Sequence, residues 1–183
     1  MTARRVPAPP PAQRPTHPAP RSPHFMSLDP DAFRAVLGRF ASGVTVVTTR
    51  DERGLDHGMT VSAFCSLSLS PPLVLVCIHH EASVYPVLGA APHFAVNILA
   101  AGQEALSRRF AGRDPNRFEG IGFKRGQTGV ALLDDVLATI ECRRVGQHEG
   151  GDHTIFVGEA ETASTRSLSP LLYYRGGYAQ LER

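Results

Sequence analysis

Short runs of β-branched and aliphatic residues, separated by glycine and proline, restrict the fold of this chain more than any other feature. Residues 44–49, 73–78 and 94–99 are such runs, and their length and composition are typical of strands rather than helices. Residues 66–70 alternate serine with leucine, which is the period of a half-buried extended segment. The sequence therefore predicts a mainly β fold built from many short strands.

The second half of the chain continues this pattern. Residues 138–145, 153–163 and 171–174 also have strand-like composition, and Gly150-Gly151 is a strong hairpin signal. One further strand is predicted before the serine and leucine alternation, at residues 59–64 of the chain. Because many short strands accompany few helices, the pattern favours a barrel.

Three short helices are predicted from capping residues and apolar spacing. The first begins at Asp29-Pro30, where an acid caps the helix and proline occupies its first turn, and Gly43 ends it. Its apolar side chains share one face: Phe33, Val36, Leu37 and Phe40. The other two helices cover residues 83–88 and 103–110.

The N-terminal region has a composition that does not support folding. Eight of the 15 prolines lie within residues 6–25, and residues 1–25 contain four arginines and no acid. Such a segment cannot bury enough apolar surface to fold. We therefore predict a disordered extension over residues 1–26 and one folded domain over residues 27–183. Without those four arginines the net charge of +2 becomes −2, so we expect no nucleic-acid partner.

The cysteines and histidines give no sign of a metal site. Cys65, Cys77 and Cys142 lie far apart with no CxxC pair, and we interpret them as small core residues. The adjacent His79 and His80 would point to opposite faces of a strand. No apolar run is long enough to span a bilayer and no secretion signal is evident, so we expect a cytoplasmic protein without a membrane partner.

One segment carries an unusual density of hydroxyl groups, and the common nucleotide, zinc-protease and serine-hydrolase motifs are missing from the sequence. The hydroxyl residues are Thr60, Ser62, Ser66, Ser68 and Ser70. A solvated sheet face explains such a pattern. A flavin site also explains it, because the ring needs an apolar wall with hydrogen-bond donors and the ribityl phosphate needs several hydroxyls or amides.

Five segments together resemble the flavin reductase-like family, whose small NAD(P)H:flavin reductases supply two-component monooxygenases. The segments are residues 40–48, 58–74, 94–99, 151–159 and 171–178. The resemblance implies a six-stranded, Greek-key-like FMN-binding split β-barrel and a homodimer. It also implies reduction of FMN or FAD by NADH or NADPH, followed by transient hand-over of reduced flavin to a monooxygenase.

The resemblance further assigns residues to the site. The flavin ring and ribityl chain would contact Thr60, Val61, Ser62, Ala63, Phe64, Cys65, Ser66, Leu67 and Ser68. The preceding strand would close the site with Ser42, Gly43 and Thr45. Ser83, as the N-cap of the second helix, would meet the phosphate. His153 would be the catalytic residue beside the nicotinamide, with Arg175, Gly176 and Tyr178 near the same pocket.

Several alternatives stay open. His153 is also explained as a hydrogen-bonded turn residue, and the arginines Arg108, Arg109 and Arg113 as an exposed basic face. A related flavin oxidase of the pyridoxamine-phosphate type would share the fold, although the Gly-Asp-His segment at residues 151–153 argues against it. A flavin-storing protein without turnover would use every binding feature above.

Overall fold

The computed structural model describes residues 28–181. The predicted disordered extension lies outside them and stays a prediction. The described residues form three helices and twelve strands, which confirms a mainly β fold with a few helices. The helices are α1 (Pro30–Leu37), α2 (Tyr85–Ala90) and α3 (Glu104–Ala111). The strands are β1 (Ser42–Gly43), β2 (Thr45–Arg50), β3 (Asp56–Val61), β4 (Phe64–Leu69), β5 (Pro72–His79), β6 (His93–Ile98), β7 (Phe123–Arg125), β8 (Ala131–Leu133), β9 (Ala138–Gly150), β10 (His153–Thr165), β11 (Leu171–Tyr174) and β12 (Gly177–Gln180).

Seven of these strands form the main antiparallel sheet, in the order β3-β2-β6-β9-β10-β5-β4. The resemblance implies a barrel of six strands, whereas the main sheet of the described residues has seven. A three-stranded sheet, β1-β11-β12, and a two-stranded hairpin, β7-β8, accompany it. The longest pairing is the β9-β10 hairpin, whose turn contains Gly151 in the left-handed region (φ 71°), as the glycine pair predicts.

The two edge strands of the main sheet, β3 and β4, follow one another directly in the chain. Only Ser62 and Ala63 lie between them. The Phe64 amide donates to the Ser62 carbonyl (3.0 Å), which makes this link a sharp turn. The Cys77 amide donates to the Ala63 carbonyl (3.0 Å) and ties the link to β5. The sheet therefore curls until its opposite edges meet at this link.

Apolar side chains fill both faces of the sheet. On one face Val84 and Leu88, which belong to α2 and the turn before it, are grouped with Phe94 and Phe156 of the sheet. A second cluster joins Phe110 of α3 to strands β2, β8 and β11. Fully burying a side chain of this size stabilises a fold by about 1.5–3 kcal/mol. The two clusters therefore fix α2 and α3 on the sheet.

A buried amide joins the sheet to the β7-β8 hairpin. Asn97 is fully buried, and its Nδ2 donates to the Val46 carbonyl (3.0 Å) and to Thr48 Oγ1 (3.1 Å). Its Oδ1 accepts from the Leu133 amide (2.9 Å). Because every polar atom of this side chain is paired, its burial carries no desolvation penalty from an unsatisfied group.

Helix α1 starts as predicted but ends earlier. The Ala32 amide donates to Asp29 Oδ2 (2.9 Å), so Asp29 is the N-cap. The helix ends at Leu37 rather than at Gly43, because Gly38 is its C-cap and the Gly38 carbonyl accepts from the Arg175 amide (2.9 Å). Gly43 belongs instead to β1.

The apolar face of α1 is not covered by the rest of the described chain. No residue of α1 is buried. The exposed fractions are 49% for Phe33, 64% for Val36 and 54% for Leu37. Phe40, predicted on the same helix face, lies instead in the turn after the helix and is 82% exposed. Among residues 28–181, no helix is long and apolar enough to cross a membrane.

Two further predictions from the sequence are wrong. Helix α2 begins at Tyr85 with Val84 at the N-cap and no side-chain capping bond, so Ser83 is not its cap. The proline at position 86 explains the later start, because proline is favoured in the first turn of a helix. Cys65 is exposed because β4 is an edge strand, whereas Cys142 is buried as predicted and Cys77 is half-buried.

Candidate functional site

The hydroxyl-rich segment runs from the end of β3, through the two-residue link, onto β4. Val61 is buried (4% exposed) and fixes the end of β3 in the core. Ser62, Ala63 and Ser66 are exposed. Because β4 is a sheet edge, the hydrogen-bonding groups on its outer side have no partner strand among residues 28–181. This segment therefore presents hydroxyls and backbone groups outward along one strand.

The other residues of the segment differ in whether they face solvent or contact the rest of the protein. Phe64 packs against the core and Leu67 is 50% exposed. Cys65 lies opposite Leu75 of β5. Ser68 is half-buried, and its Oγ accepts from the Ser70 amide (3.2 Å). Their assignment to a flavin stays a prediction.

Thr45 and Thr60 use their hydroxyl groups within the protein. Thr45 is buried, and its Oγ1 donates to the Val61 carbonyl (2.7 Å), which joins β2 to the end of β3. Thr60 Oγ1 donates to the Ser107 carbonyl (2.6 Å) on α3. Neither hydroxyl hydrogen is free for a ligand, although each oxygen can still accept a hydrogen bond.

A short polar chain connects β3 to the C-terminal hairpin. Ser107 is fully buried, and its Oγ lies 2.9 Å from Tyr178 Oη. The Arg108 guanidinium stands 4.9 Å from the centre of the Tyr178 ring. Because Thr60 also bonds to Ser107, the structure places Tyr178 beside the hydroxyl-rich segment. Sequence reasoning missed Ser107, whose only signal is a serine between apolar positions of a helix.

The remaining residues of this predicted group lie on the small sheet. Ser42 and Gly43 pair with Tyr173 and Leu172 of β11. Arg175 and Gly176 form the turn to β12, both with positive φ (51° and 80°). They are therefore brought close to α1 and the start of β2 rather than to β4 directly.

A cavity of about 270 Å³ opens beside Ser83. Its lining consists of Asp56, His57, Gly58, Ser83, Val84, Arg113, Asp114, Pro115, Arg117 and Phe118. Arg117 Nη1 donates to the Gly58 carbonyl (2.8 Å), and Arg117 Nη2 lies 3.4 Å from Ser83 Oγ. The Nε of Arg117 is buried and has no hydrogen-bond acceptor among residues 28–181. A serine hydroxyl beside two arginines is a donor set suited to an anion.

The loop that carries Arg117 is held by another arginine. Arg109 Nε donates to the Arg117 carbonyl (2.7 Å), and its Nη2 donates to the carbonyls of Asn116 (3.1 Å) and Glu119. Arg108 instead forms an exposed ion pair with Glu104 (2.7 Å). Arg109 is thus a structural residue of the loop, whereas Arg117 lines the cavity.

His153 lies at the start of β10, opposite His79 of β5. Its Nδ1 is 2.6 Å from Asp152 Oδ1, and this hydrogen bond lowers the pKa of Asp152. An ionised carboxylate only accepts, so Nδ1 carries the hydrogen and Nε2 of the neutral ring can accept. The two histidine rings meet edge to face with centroids 5.0 Å apart. The ring of His153 therefore has a defined orientation.

These groups converge on one part of the molecule. Gly58, which accepts from Arg117, precedes Thr60 on the same strand. His153 is two strands from β4, with β5 between, a separation of about 10 Å at normal strand spacing. The hydroxyl-rich segment is thus joined to the anion pocket through β3 and is separated from His153 by one strand, β5.

Comparison with known proteins gives consistent matches. The family described as "Flavin reductase like domain" matches residues 37–182. The reductase subunit HsaB of a flavin-dependent monooxygenase from Rhodococcus jostii is 40% identical over 157 residues, covering 85% of this chain and 80% of HsaB. The FMN reductase (NADH) SmoA of Agrobacterium fabrum is 41% identical over 152 residues, covering 83% of this chain and 86% of SmoA. The Streptomyces globisporus NADH:FAD oxidoreductase SgcE6, solved with NAD and FAD fragments, aligns with a TM-score of 0.80 at 39% identity, covering 84% of this chain and 93% of SgcE6.

Proposed function

The chain belongs to the flavin reductase-like family, and from this membership we propose that it oxidises NADH or NADPH, reduces FMN or FAD, and supplies the reduced flavin to a partner monooxygenase. The proposal rests above all on one observation, an exposed hydroxyl-rich edge that is joined to an anion pocket through β3 and lies one strand away from an oriented histidine. Each of these three parts matches a different portion of the two substrates.

The residues present fit a flavin mononucleotide. Its phosphate needs cationic and hydroxyl donors, which Arg117 and Ser83 supply at 3.4 Å from one another. The buried Nε of Arg117 has no acceptor among the described residues, and such an unpaired charged donor favours an anion nearby. The cavity of about 270 Å³ accommodates a phosphate with part of the ribityl chain.

The edge strand supplies the surface for the flavin ring. Ser62 and Ser66 are exposed and can donate or accept. Ala63 and Cys65 are small exposed neighbours over which a flat ring can lie. Tyr178 and Thr60 close the side nearest α3 through their contacts with Ser107. No residue of this edge needs to act as an acid or base.

His153 would orient the hydride donor. When bound, reduced nicotinamide supplies a hydride and flavin accepts it. His153 Nε2 can accept a hydrogen bond from the nicotinamide carboxamide while Nδ1 stays bonded to Asp152. The protein thus binds both molecules and sets the distance between them, which makes the hydride transfer effectively unimolecular.

We also propose an oligomeric state, a class of β fold and a cellular location for the chain. The uncovered apolar face of α1 and Phe40 in the turn after it, which is 82% exposed, are assigned to a second copy of the chain in a homodimer. The curled sheet, whose edge strands meet at residues 62–63, supports the FMN-binding split-barrel class. A cytoplasmic location is proposed with it.

The experiment mixes purified protein with NADH or NADPH, adds FMN or FAD in increasing concentration, and follows the absorbance of the reduced nicotinamide. We expect consumption that depends on added flavin, with one pair of substrates preferred. Flavin binding without consumption of either nicotinamide would favour flavin storage. The role proposed for His153 would then be withdrawn.

A further inference from the structure

A second and larger cavity, which the proposed site does not use, lies beside the turn between β2 and β3. Its volume is about 680 Å³, within the range of small-molecule sites. The lining residues are Arg50, Asp51, Glu52, Arg53, Pro86, Val87, Ala90, Ala91, Pro92, His93, Thr128 and Val130. We call this cavity the turn cleft.

The turn cleft combines small apolar residues with charged and polar groups. Val130 and Ala91 are 2% and 6% exposed, so both present part of a packed surface to the cleft. Pro86, Val87 and Pro92 add further small apolar side chains. A flat aromatic group can lie on such a surface without displacing large side chains. Glu52 also lines the cleft and can accept from sugar hydroxyl groups. Thr128 Oγ1 donates to Glu141 Oε2 (2.7 Å) and can still accept a hydrogen bond from such a hydroxyl.

The cleft also contains two arginines with free donors. Arg50 uses Nε to donate to the Gly54 carbonyl (2.9 Å) and has no carboxylate partner among residues 28–181. Arg53 reaches Asp51 at 3.3 Å, yet its side chain is 79% exposed. Arg53 uses only Nη2 in this bond, to Asp51 Oδ2, while the amides of Leu55 (2.8 Å) and Arg53 (3.0 Å) donate to Oδ1. Both guanidinium groups can therefore bind a phosphate.

The turn cleft adjoins the anion pocket at Ser83. His57 lines the pocket and Asp51 lines the cleft, and their side chains are 3.2 Å apart. Val84 lines the pocket, while Pro86 and Val87 of the same helical segment line the cleft. The hydrogen-bonded side chains of His57 and Asp51 therefore form the boundary between the two cavities, and a ligand phosphate at Ser83 and Arg117 lies next to the cleft.

We propose that the turn cleft binds the adenosine 5′-phosphate half of FAD, so that the chain uses FAD in preference to FMN. The inference rests on the proposed function, because it starts from a flavin phosphate in the Ser83 pocket. The adenine lies on the small apolar surface, the ribose hydroxyls meet Glu52 and Thr128, and the second phosphate meets Arg53 and Arg50. NADH carries the same group, but the cleft adjoins the flavin phosphate pocket, whereas the nicotinamide is assigned to His153.

The test compares the affinities for FAD and FMN, because FMN lacks the adenosine half and serves as an internal control. Ala90 is exposed on α2 within the cleft, so Ala90→Trp narrows the cleft without repacking the core. Arg53→Gln removes an exposed charge at little cost in stability. Arg166→Gln removes an exposed arginine that pairs with Asp135 outside both cavities and is the matched control. Dissociation constants are measured by calorimetry without nicotinamide.

We expect wild-type protein to bind FAD more tightly than FMN. Both cleft variants should weaken FAD binding roughly tenfold, equivalent to about 1.4 kcal/mol, and change FMN binding less than twofold. Equal losses for FAD and FMN, or no loss for either in both variants, would overturn the inference. So would a loss of NADH affinity in both variants while FAD affinity stays the same.

Adenosine 5′-phosphate alone provides a second measurement that does not depend on the Ser83 pocket. At millimolar concentration it should compete with FAD and leave FMN binding unchanged. Competition with FMN instead would contradict the assignment. If neither FMN nor FAD binds, the proposed flavin reduction fails and the inference fails with it. If both bind with equal affinity and adenosine 5′-phosphate displaces neither, only the inference fails.

Discussion

The hydrogen bond between Asp152 and His153 determines which nitrogen of the histidine carries its hydrogen. Asp152 is 76% exposed and His153 is 40% exposed, so the pair is accessible to a ligand. His79 approaches the same carboxylate with its Nε2 at 3.6 Å from Oδ2. Its Nδ1 accepts from the Glu81 amide (3.0 Å), so both rings have assigned tautomers around one carboxylate.

We predict that Asp152→Asn weakens the use of NADH. An amide in place of the carboxylate weakens the bond to His153 Nδ1 and allows the other tautomer, in which Nε2 no longer accepts. The KM for the nicotinamide should rise roughly tenfold, as expected for the loss of one charge-assisted hydrogen bond. Flavin affinity, measured without nicotinamide, should stay unchanged.

The neighbouring carboxylate provides the control for this prediction. Glu149 lies 3.3 Å from His80 Nε2 in the same region, so Glu149→Gln changes a comparable exposed charge without touching His153. Steady-state titration of NADH should give wild-type KM values for it. Equal effects of both substitutions would argue for general electrostatics instead of the orientation of His153.

For single residues, the sequence indicates which residue types could form the site but not which residues contact one another. Ser83 was assigned to the phosphate because of an expected helix cap, and that cap is absent. The residue nevertheless lines the pocket, since Arg117 approaches it from a loop 34 positions away. Ser107 and Arg117 depend on such long-range contacts, which no local pattern in the sequence reveals.

The β2-β3 turn is an element whose stability depends on one ionised side chain. Asp51 has its pKa lowered to about 2, first by the hydrogen bond from the Leu55 amide and also by those from His57 and Arg53. The pKa in the folded protein is below that in the unfolded chain. Asp51 therefore stabilises the fold above about pH 4, and this contribution is lost as the pH falls towards 2.

We predict that Asp51→Asn lowers the melting temperature at neutral pH and that the difference from wild type disappears near pH 2. Comparing the two proteins at each pH removes the contribution of the other carboxylates. Thermal unfolding followed by circular dichroism between pH 2 and 7 is the measurement. A difference that is constant over this range would contradict the role assigned to the ionised carboxylate.

Strands that consist of an apolar run were predicted well, whereas a strand end made of polar residues was not. Strands β5, β6 and β11 match their predicted positions closely because their apolar runs are bounded by turns. The start of β3 at Asp56 was missed, since its polar residues are typical of a loop. They form a strand because β2 offers a complete antiparallel partner, with Arg50 opposite Asp56.

At the scale of the whole molecule, the uncovered face of α1 has a consequence for assembly. Phe40 is 82% exposed and Val36 is 64% exposed. Val36 lies on α1 and Phe40 in the turn after it, and exposed apolar residues grouped in this way are typical of an interface between proteins. We predict that the wild-type chain is a dimer in sedimentation equilibrium and that Phe40→Asp shifts it towards monomer.

The control for this prediction is an exposed apolar residue elsewhere. Leu55 is 54% exposed in the β2-β3 turn, so Leu55→Asp adds the same charge away from α1. The Leu55→Asp protein should have the same molecular mass in sedimentation equilibrium as the wild-type dimer. A monomeric wild-type protein, or an unaffected dimer in Phe40→Asp, would contradict the assignment of the α1 face to a second copy.

The overall class of the fold was predictable and its topology was not. Alternating and apolar runs predict strands, but the order of the seven strands depends on pairings such as β2 with β6 and β6 with β9. Those pairings join segments far apart in the chain. The meeting of β3 and β4 at residues 62–63, which exposes the hydroxyl-rich edge, follows only from that order.

The central claim is that this chain reduces flavins whose phosphate is held by Arg117 beside Ser83. Its most direct test is flavin-dependent NADH consumption with FMN and with riboflavin, which has no phosphate, by wild type and Arg117→Gln, with Arg166→Gln as control. We expect Arg117→Gln to raise the KM for FMN roughly tenfold or more, as for a lost charged hydrogen bond, and to leave the KM for riboflavin unchanged. Equal effects on both flavins, or none on either, would contradict it.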